Sequence, residues 1–219
     1  MKNNGAVYEP PAHAGLEILW IDAHVLVVQK PAGLLSVPGR GPEKQDCLLN
    51  RCQAETGPLF VAHRLDMSTS GIILFARNKA AQRHLNRQFA DRLVDKTYTA
   101  VVDGSMENDH GSIDAPIMPD WPNRPKQKID PDGRASLTHY RVISRSNGCT
   151  RVQLMPVTGR SHQLRIHLMS LGHAILGDDL YAPDPVFHRA ERLLLHATSL
   201  CFTHPASEDR IHIDSPAPF

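Results

Sequence analysis

The chain has 219 residues, 41% of them hydrophobic, so its composition predicts a folded protein and excludes general disorder. Lys and Arg total 24 and Asp and Glu total 23, for a formal net charge of +1, which excludes bulk electrostatic attraction to nucleic acid. Any nucleic-acid-binding surface must therefore be a local concentration of positive charge. No apolar run reaches the roughly 18 residues of a membrane span, and the first residues do not resemble a signal peptide.

Four cysteines lie at positions 47, 52, 149 and 201, without the paired spacing of a metal site. We interpret them as the reduced thiols of a cytoplasmic protein. The sequence also lacks the glycine-rich loops that cradle nucleotide phosphates. It therefore predicts neither a metal nor another cofactor.

The first 56 residues predict an extended arm, a β-hairpin and a helix. Residues 1–15 contain two prolines and little periodicity, which favours an extended arm. Residues 16–21 and 25–28 predict the two strands of a β-hairpin. Lys30-Pro31-Ala32-Gly33 ends the second strand, and its residue types alone indicate a turn with an exposed lysine. Asp46 is predicted to cap a helix over 47–56.

A nine-residue stretch, His63 to Gly71, combines an imidazole, a guanidinium, a carboxylate and three hydroxyls. The apolar run 72–76 follows at once and predicts a buried strand. Asp66 is thus expected in a polar loop beside a rigid element, which is how folds present reactive side chains. The residue types also suit a plain turn in which Asp66 satisfies backbone donors, so both interpretations stay open.

Asn78 is a good N-cap for a helix over about 79–92, with Ala81, Leu85 and Phe89 on its apolar face. Basic residues recur at the same spacing on nearly the opposite face: Lys79, Arg83 and Arg87. They indicate either a solvated charged face or a secondary contact for a phosphate backbone.

Residues 96–104 predict a strand that contains Tyr98. Asp120–Lys128 contains two prolines, which exclude a regular element there. Trp121 offers a stacking surface, and Arg124, Lys126 and Lys128 offer phosphate partners, a combination suited to unstacked RNA. A Trp packed within a structural loop is the alternative for Trp121.

Strands over 135–144 and 149–156 are predicted to join at the turn Ser146-Asn147-Gly148. A helix capped by Ser161 should follow, with a leucine stripe and an end at Gly172, although the alternation from 164 to 168 also allows a strand. His162 and His167 lack a zinc-protease pattern and are interpreted as structural. Further strands are expected from 192 and over 210–214.

The stretch His-Arg-Leu-Asp-x-x-Thr-Ser-Gly at 63–71 resembles the signature of the RluA family of RNA pseudouridine synthases. Other stretches are similar to the family's pattern from about Lys30 to Ala197, nearly the whole chain. They are Lys-Pro-x-Gly at 30–33, Lys-x-Tyr-x-Ala at 96–100, Gly-Arg-x-His-Gln-x-Arg at 159–165 and Gly-His-x-Ile-x-Gly-Asp-x-x-Tyr at 172–181, where Ala174 replaces a usual Pro.

The resemblance implies an α+β fold with a mixed, mostly antiparallel β-sheet, flanking helices and a central RNA-binding cleft. It implies one catalytic domain over 16–219 without an S4 domain, and a monomer is expected. The partners implied are tRNA, at an anticodon-loop uridine, and 23S rRNA, at a stem-loop uridine. No membrane or protein partner and no metal or cofactor is implied.

The resemblance also implies roles for single residues. Asp66 would be the nucleophile, paired with Arg165, and Tyr98 would stack on the uracil and take the C5 proton. Arg64 would fill the space left by the flipped uridine, Leu195 would pack beneath the base, and Arg160 would contact RNA.

Two other functions are compatible with the same residues. A glycosidase would pair Asp66 with Asp178 or Asp179 and release free uracil or sugar. A non-catalytic RNA-binding or ribosome assembly factor would keep the cations and tolerate loss of the Asp66 charge.

Overall fold

The computed structural model describes residues 7–219, so residues 1–6 of the predicted N-terminal arm lie outside the described chain. Within 7–219 there are twelve strands: β1 Ile18–Ile21, β2 Val25–Lys30, β3 Phe60–Val61, β4 Ser70–Ala76, β5 Asp95–Asp103, β6 His110–Asp114, β7 Ile117–Pro119, β8 Gln127–Ile129, β9 Leu137–Ser146, β10 Cys149–Pro156, β11 Leu195–Thr203 and β12 Arg210–Asp214. The same residues form four α-helices: α1 Leu48–Thr56, α2 Lys79–Ala90, α3 Gln163–Ser170 and α4 Asp184–Phe187. None of these helices is long and apolar enough to cross a membrane.

The described chain divides into two compact units. The first unit comprises Val7–Lys96 and His196–Pro218, and the second comprises Thr97–Leu195 with Phe219. The prediction of one catalytic domain over 16–219 stays a prediction.

The sheet of the first unit is built around β4. Strands β1, β2 and β4 pair antiparallel in that order, which confirms the predicted first hairpin. β11 pairs parallel with β4, and β12 pairs antiparallel with β11. All seven residues of β4 are buried, because its apolar run is covered on both faces. Helix α2 packs its apolar face, Ala81 and Leu85, into this core, and Asn78 caps it as predicted through an Oδ1 that accepts from Ala81 N at 2.8 Å.

Gly71, the last residue of the 63–71 stretch, lies where a side chain has no room. Its φ is +110°, and a Cβ there would stand 2.3 Å from the carbonyl oxygen of Ala197. Gly71 and Ala197 are register partners in the parallel β4–β11 pair. Glycine is therefore required by both conformation and space, and this close approach fixes the end of the Asp66-containing loop.

Asp46 does not cap α1, so that prediction is wrong. The N-cap is Cys47, which makes no side-chain capping bond. The Asp46 carboxylate is instead held by Arg51, whose Nε and Nη2 each donate at 2.7 Å. A bidentate guanidinium pair is a stronger partner for a carboxylate than backbone amides one turn away.

The sheet of the second unit is antiparallel, in the order β5, β10, β9, β6. The β9–β10 hairpin turns at Asn147 and Gly148, both with positive φ, as the sequence predicts. α3 packs Leu164 and Leu168 into the core of this unit, which confirms the helix over the alternative strand. The observed architecture, mostly antiparallel strands with few helices, confirms the predicted α+β class.

Ser161 does not cap α3, because the N-cap is His162 in the left-handed region, with φ 56°. The turn before the helix is organised by the buried amide of Gln163. Its Oε1 accepts from Thr158 Oγ1 at 2.8 Å and from Arg160 N at 3.0 Å. Its Nε2 donates to Leu137 O and Thr138 Oγ1, both at 3.0 Å. The first two bonds close the turn before α3, and the last two connect α3 to β9.

Candidate active site

Residues 62–69, which we call the Asp66 loop, connect β3 to β4 in the first unit. Asp66 is partly buried within it, and Arg64 is exposed. The carbonyl oxygen of Asp66 accepts from Thr69 N at 3.1 Å, which closes a tight turn. The loop thus holds a carboxylate at the entry to a fully buried strand, as the sequence predicts.

Lys30 fixes the residue after Asp66. Its side chain is fully buried, and Nζ donates to the carbonyl oxygens of Pro31 at 2.9 Å, Leu34 at 2.7 Å and Met67 at 2.8 Å. Gly33 N also donates to Met67 O, at 2.9 Å. The residue types of 30–33 suggest an exposed lysine, and that expectation is wrong. Three carbonyl dipoles compensate the buried charge, and the ammonium binds the two segments together.

Ser36 fixes the residue before Asp66. Its Oγ donates to Leu65 O at 2.7 Å and accepts from Leu65 N at 3.1 Å, and both residues are buried. Sequence reasoning missed Ser36, because no local pattern connects two residues 29 positions apart. Asp66 is therefore held between two backbone units that buried side chains immobilise, as a reacting carboxylate requires.

His63 anchors the start of the motif. Its Nε2 accepts from Leu74 N in β4 at 2.9 Å, and its ring stacks on Phe89 of α2 with centroids 4.7 Å apart. Burial of the ring, together with the nearby charge of Lys96, lowers the pKa of His63 to about 3. Since Nε2 accepts a hydrogen bond, the neutral ring carries its proton on Nδ1. His63 is a neutral support for the loop.

This pKa predicts an acid-dependent loss of stability. The folded-state pKa lies below the ordinary value of 6.5, so between pH 3 and 6.5 the unfolded chain binds the extra proton. The stability that His63 contributes is complete above about pH 6.5 and falls toward pH 3, with a slope of up to about 1.4 kcal/mol per pH unit. Urea unfolding across this range should show a shallower slope for His63→Gln, whose amide oxygen can still accept from Leu74 N.

The control is His110→Gln, which changes an exposed histidine of β6. It should keep the wild-type slope. If His63→Gln kept the wild-type dependence of stability on pH, the lowered pKa of His63 would not be the cause of that dependence.

Arg165 is the buried cation of the second unit. It is 2% exposed, and its Nε donates to Asp178 Oδ2 at 2.8 Å. Its Nη2 donates to Asp178 Oδ1 at 2.5 Å and to Asp179 Oδ1 at 2.9 Å. Asp178 Oδ1 also accepts from the backbone amides of Leu180 and Tyr181 at 2.9 and 3.0 Å. Two carboxylates therefore hold this guanidinium in one orientation, and its predicted pairing with Asp66 stays a prediction.

The same contacts bear on the glycosidase alternative. Both oxygens of Asp178 accept from Arg165, and Asp179 accepts from it as well. A glycosidase needs a second carboxyl group available as an acid or base. Asp178 has both oxygens engaged by Arg165 and Asp179 has one, which disfavours either aspartate as that acid or base.

Leu195 belongs to the core cluster of the second unit, and Tyr98 packs against that cluster. Tyr98 lies on β5, where its register partner is Leu154 of β10, and it is partly buried. Leu195, the first residue of β11, is buried. The structure thus brings these two predicted site residues to the same core.

The predicted RNA-recognition residues lie on the Trp121 hairpin, a name we give to Ile117–Ile129, with β7 and β8 as its strands. The prediction that prolines exclude a regular element is wrong: 121–123 form a 3-10 turn, and Lys128 lies in β8. Both prolines lie outside β8, so they do not interrupt its pairing. Trp121 is 63% exposed, and Arg124 Cζ lies 3.3 Å from its ring centroid.

The other basic residues differ in their contacts. Lys126 is exposed, whereas Lys128 is paired with Asp130 at 2.6 Å. Arg160 donates through Nε and Nη2 to Ala135 O, both at 3.3 Å. Trp121, Arg124 and Lys126 are therefore the best-presented group on the hairpin.

Tyr181 links the Trp121 hairpin to α3. Its hydroxyl accepts from Gln127 N at 2.8 Å and lies 2.7 Å from His162 Nδ1. Its ring lies 5.3 Å from Arg165 Cζ. His167 is buried, with Thr138 Oγ1 and Ala115 O within hydrogen-bond distance of its ring nitrogens. These contacts and that of His162 with Tyr181 agree with the interpretation of both histidines as structural.

Comparison with known proteins agrees with these motifs. Residues 24–170 match the family model described as RNA pseudouridylate synthase. The chain is 50% identical over 201 residues to "Dual-specificity RNA pseudouridine synthase RluA" of Vibrio cholerae, covering 91% of this chain and 82% of the relative. The identity to the Escherichia coli protein of the same name is 47% over 214 residues, covering 97% and 98%.

Solved structures agree as well. "Human RNA Pseudouridylate Synthase Domain Containing 1" superimposes with a TM-score of 0.81 at 29% identity, covering 96% of this chain and 87% of that one. "Human RNA Pseudouridylate Synthase Domain Containing 4" gives 0.74 at 27% identity, covering 92% and 88%. The chain belongs to the RNA pseudouridylate synthase family.

Proposed function

We propose that this chain isomerises uridine to pseudouridine in two RNAs, an anticodon-loop uridine of tRNA and a stem-loop uridine of 23S rRNA, with Asp66 as the nucleophile. Membership of the family establishes an RNA pseudouridine synthase. The pair of substrates is proposed because the relatives at 46–50% identity are named dual-specificity enzymes. The observation that carries the role of Asp66 is the immobilisation of Leu65 and Met67 by Ser36 and Lys30.

The reaction moves the sugar from N1 to C5 of the same uracil. The bond between N1 and C1′ breaks, the freed base rotates, and a bond between C5 and C1′ forms. N1 gains a proton and C5 loses one, so there is no net oxidation or group transfer. A carboxylate suits this sequence because it can attack and then leave.

The remaining roles are proposed residue by residue. Tyr98 is proposed to stack on the uracil and to receive the C5 proton. Arg165 is proposed to pair with the Asp66 carboxylate and to orient it toward the base. Leu195 is proposed to pack beneath the base.

A second group of roles concerns the RNA around the target. Because a stacked uridine is inaccessible, it must be flipped out, and exposed Arg64 is proposed to occupy the space it leaves. Trp121, Arg124, Lys126, Lys128 and Arg160 are proposed to contact the RNA around the target. Trp121 supplies a stacking surface and Arg124 a cation held against it, as recognition of unstacked bases requires.

We further propose that the enzyme works as a monomer in the cytoplasm. The four cysteines are free thiols, in keeping with a reducing compartment.

Tritium release tests the function directly. RNA labelled with tritium at C5 of uridine loses the label only where C5 is rejoined to the sugar. The protein should release about one equivalent from tRNA and one from a 23S rRNA stem-loop, without free uracil. Release from one RNA only would overturn dual specificity. Free uracil without tritium release would indicate a hydrolase, and binding without either would favour the assembly-factor alternative.

A further inference from the structure

Helix α2 carries a local excess of positive charge. Segment 78–92 holds four cations and one carboxylate, a net charge of +3, whereas the whole chain carries +1. Three of these cations, Lys79, Arg83 and Arg87, recur every four residues, about 6 Å apart along one side of the helix. We call this set the basic face of α2. All three side chains are exposed.

The basic face lacks acidic partners. Within residues 7–219, none of its three cations forms an ion pair. Three exposed arginines outside α2 have a carboxylate partner: Arg145 with Asp109, Arg189 with Asp103 and Arg210 with Asp95. The basic face differs from these three in that its row of cations carries uncompensated positive charge at every position.

This arrangement disfavours the helix that carries it. Lys79 occupies the first helical position, where the macrodipole favours negative charge, and the first turn has no acidic residue. Lys79 with Arg83, and Arg83 with Arg87, are like-charge pairs at the spacing where such pairs destabilise a helix. A surface that costs stability and pairs with nothing inside the described chain indicates a ligand outside it.

A different side of α2 contacts the segment that leads into the Asp66 loop. Gln82 Nε2 donates to Val61 O of β3 at 3.0 Å. Phe89 stacks on His63, at the start of the motif. The basic face is thus attached, through one helix in the same unit, to the segment that enters the Asp66 loop.

We propose that the basic face of α2 binds the phosphate backbone of the RNA substrate, beside the segment that carries the reacting uridine. The inference rests on the proposed function. Guanidinium and ammonium groups spaced about 6 Å apart suit successive phosphates, and the contact adds affinity without reading sequence. The basic face would thus supply a local binding site for the RNA backbone on a chain whose net charge is close to zero.

The variant Arg83→Glu separates binding from stability. Glu at position 83 forms favourable i, i+4 pairs with both Lys79 and Arg87, so the melting temperature should rise by roughly 1–3 °C at low salt. Its Kd for an unmodified tRNA transcript should increase by about tenfold. The slope of log Kd against log salt should fall by about 1 or more, because released counterions are lost with the phosphate contact. Loss of binding in a more stable protein excludes misfolding as its cause.

Two further variants complete the experiment. Arg83→Gln should give a smaller loss of affinity in the same direction. Arg141→Glu makes the same charge change at an exposed position of β9 and should change Kd less than twofold.

Two outcomes would overturn the proposal: an equal loss in Arg141→Glu, which indicates bulk charge, or an unchanged Kd and salt slope in Arg83→Glu. Tritium release by the wild-type protein is measured in the same preparations, so failure of the proposed function is seen separately.

Discussion

Replacing Asp66 with asparagine should abolish tritium release from both RNAs while leaving the protein folded and able to bind them. The amide keeps the size and shape of the carboxylate but is neutral and a poor nucleophile. Removal of an enzyme's covalent nucleophile lowers kcat by between about 10⁴- and 10⁶-fold, and we expect a loss in this range. The backbone should not move, because Ser36 and Lys30 hold Leu65 and Met67 and not the Asp66 side chain.

The measurement is tritium release at saturating RNA, accompanied by the melting temperature and by Kd for the same RNA. The matched control is Asp91→Asn, an exposed carboxylate at the end of α2, which should retain wild-type release. Residual activity of Asp66→Asn above about one per cent would contradict the nucleophile assignment. A lowered melting temperature with lost binding would instead give Asp66 a structural role.

Replacing Arg165 with methionine should strongly destabilise the folded protein. Arg165 is 2% exposed and Asp178 0%. Removing one partner of a buried ion pair leaves the other charge uncompensated, which costs about 3–5 kcal/mol. Asp178 would keep only the backbone amides of Leu180 and Tyr181 as donors. Urea unfolding at neutral pH measures the loss.

Two variants separate the contribution of the Arg165–Asp178 ion pair from that of the Arg165–Asp179 pair. Asp179→Asn removes one carboxylate charge, on a side chain that is 17% exposed, and leaves Arg165 bonded to both oxygens of Asp178, so it should cost less than Arg165→Met. Arg165→Lys keeps the positive charge but loses the planar guanidinium that reaches both oxygens of Asp178. Its loss of stability should therefore lie between those of Asp179→Asn and Arg165→Met. Near-wild-type stability of Arg165→Met would contradict the claim that Asp178 depends on this ion pair.

Activity of the arginine variants is to be compared at a temperature where each is folded. Arg165→Lys should then show lowered kcat with little change in KM, if Arg165 orients the nucleophile as proposed. Equal kcat in wild type and Arg165→Lys would limit Arg165 to a structural role.

The sequence alone determined the elements whose signals are local. The apolar run after Gly71, the Asn147-Gly148 turn and the Asn78 cap each lie within a few residues of the structure they produce, and each prediction is confirmed. The family motif around Asp66 is equally local, so membership of the family could be predicted from the sequence.

The N-caps show where local signals fail. Asp46 and Ser161 both have cap-forming side chains, two positions before the first residue of a helix, yet neither caps it. Arg51 takes the Asp46 carboxylate, and the amide of Gln163 organises the turn that Ser161 was expected to start. A capping bond is weak enough that a bidentate ion pair or a buried amide displaces it.

Only the tertiary structure decided what holds the Asp66 loop. Lys30 reaches Met67 across 37 positions, Ser36 reaches Leu65 across 29, and His63 reaches Leu74 across 11. A buried lysine and an exposed one have the same local sequence pattern, because burial depends on strands that pair from distant parts of the chain. The sequence alone thus determined which carboxylate to examine, and long-range packing decided how that carboxylate is held.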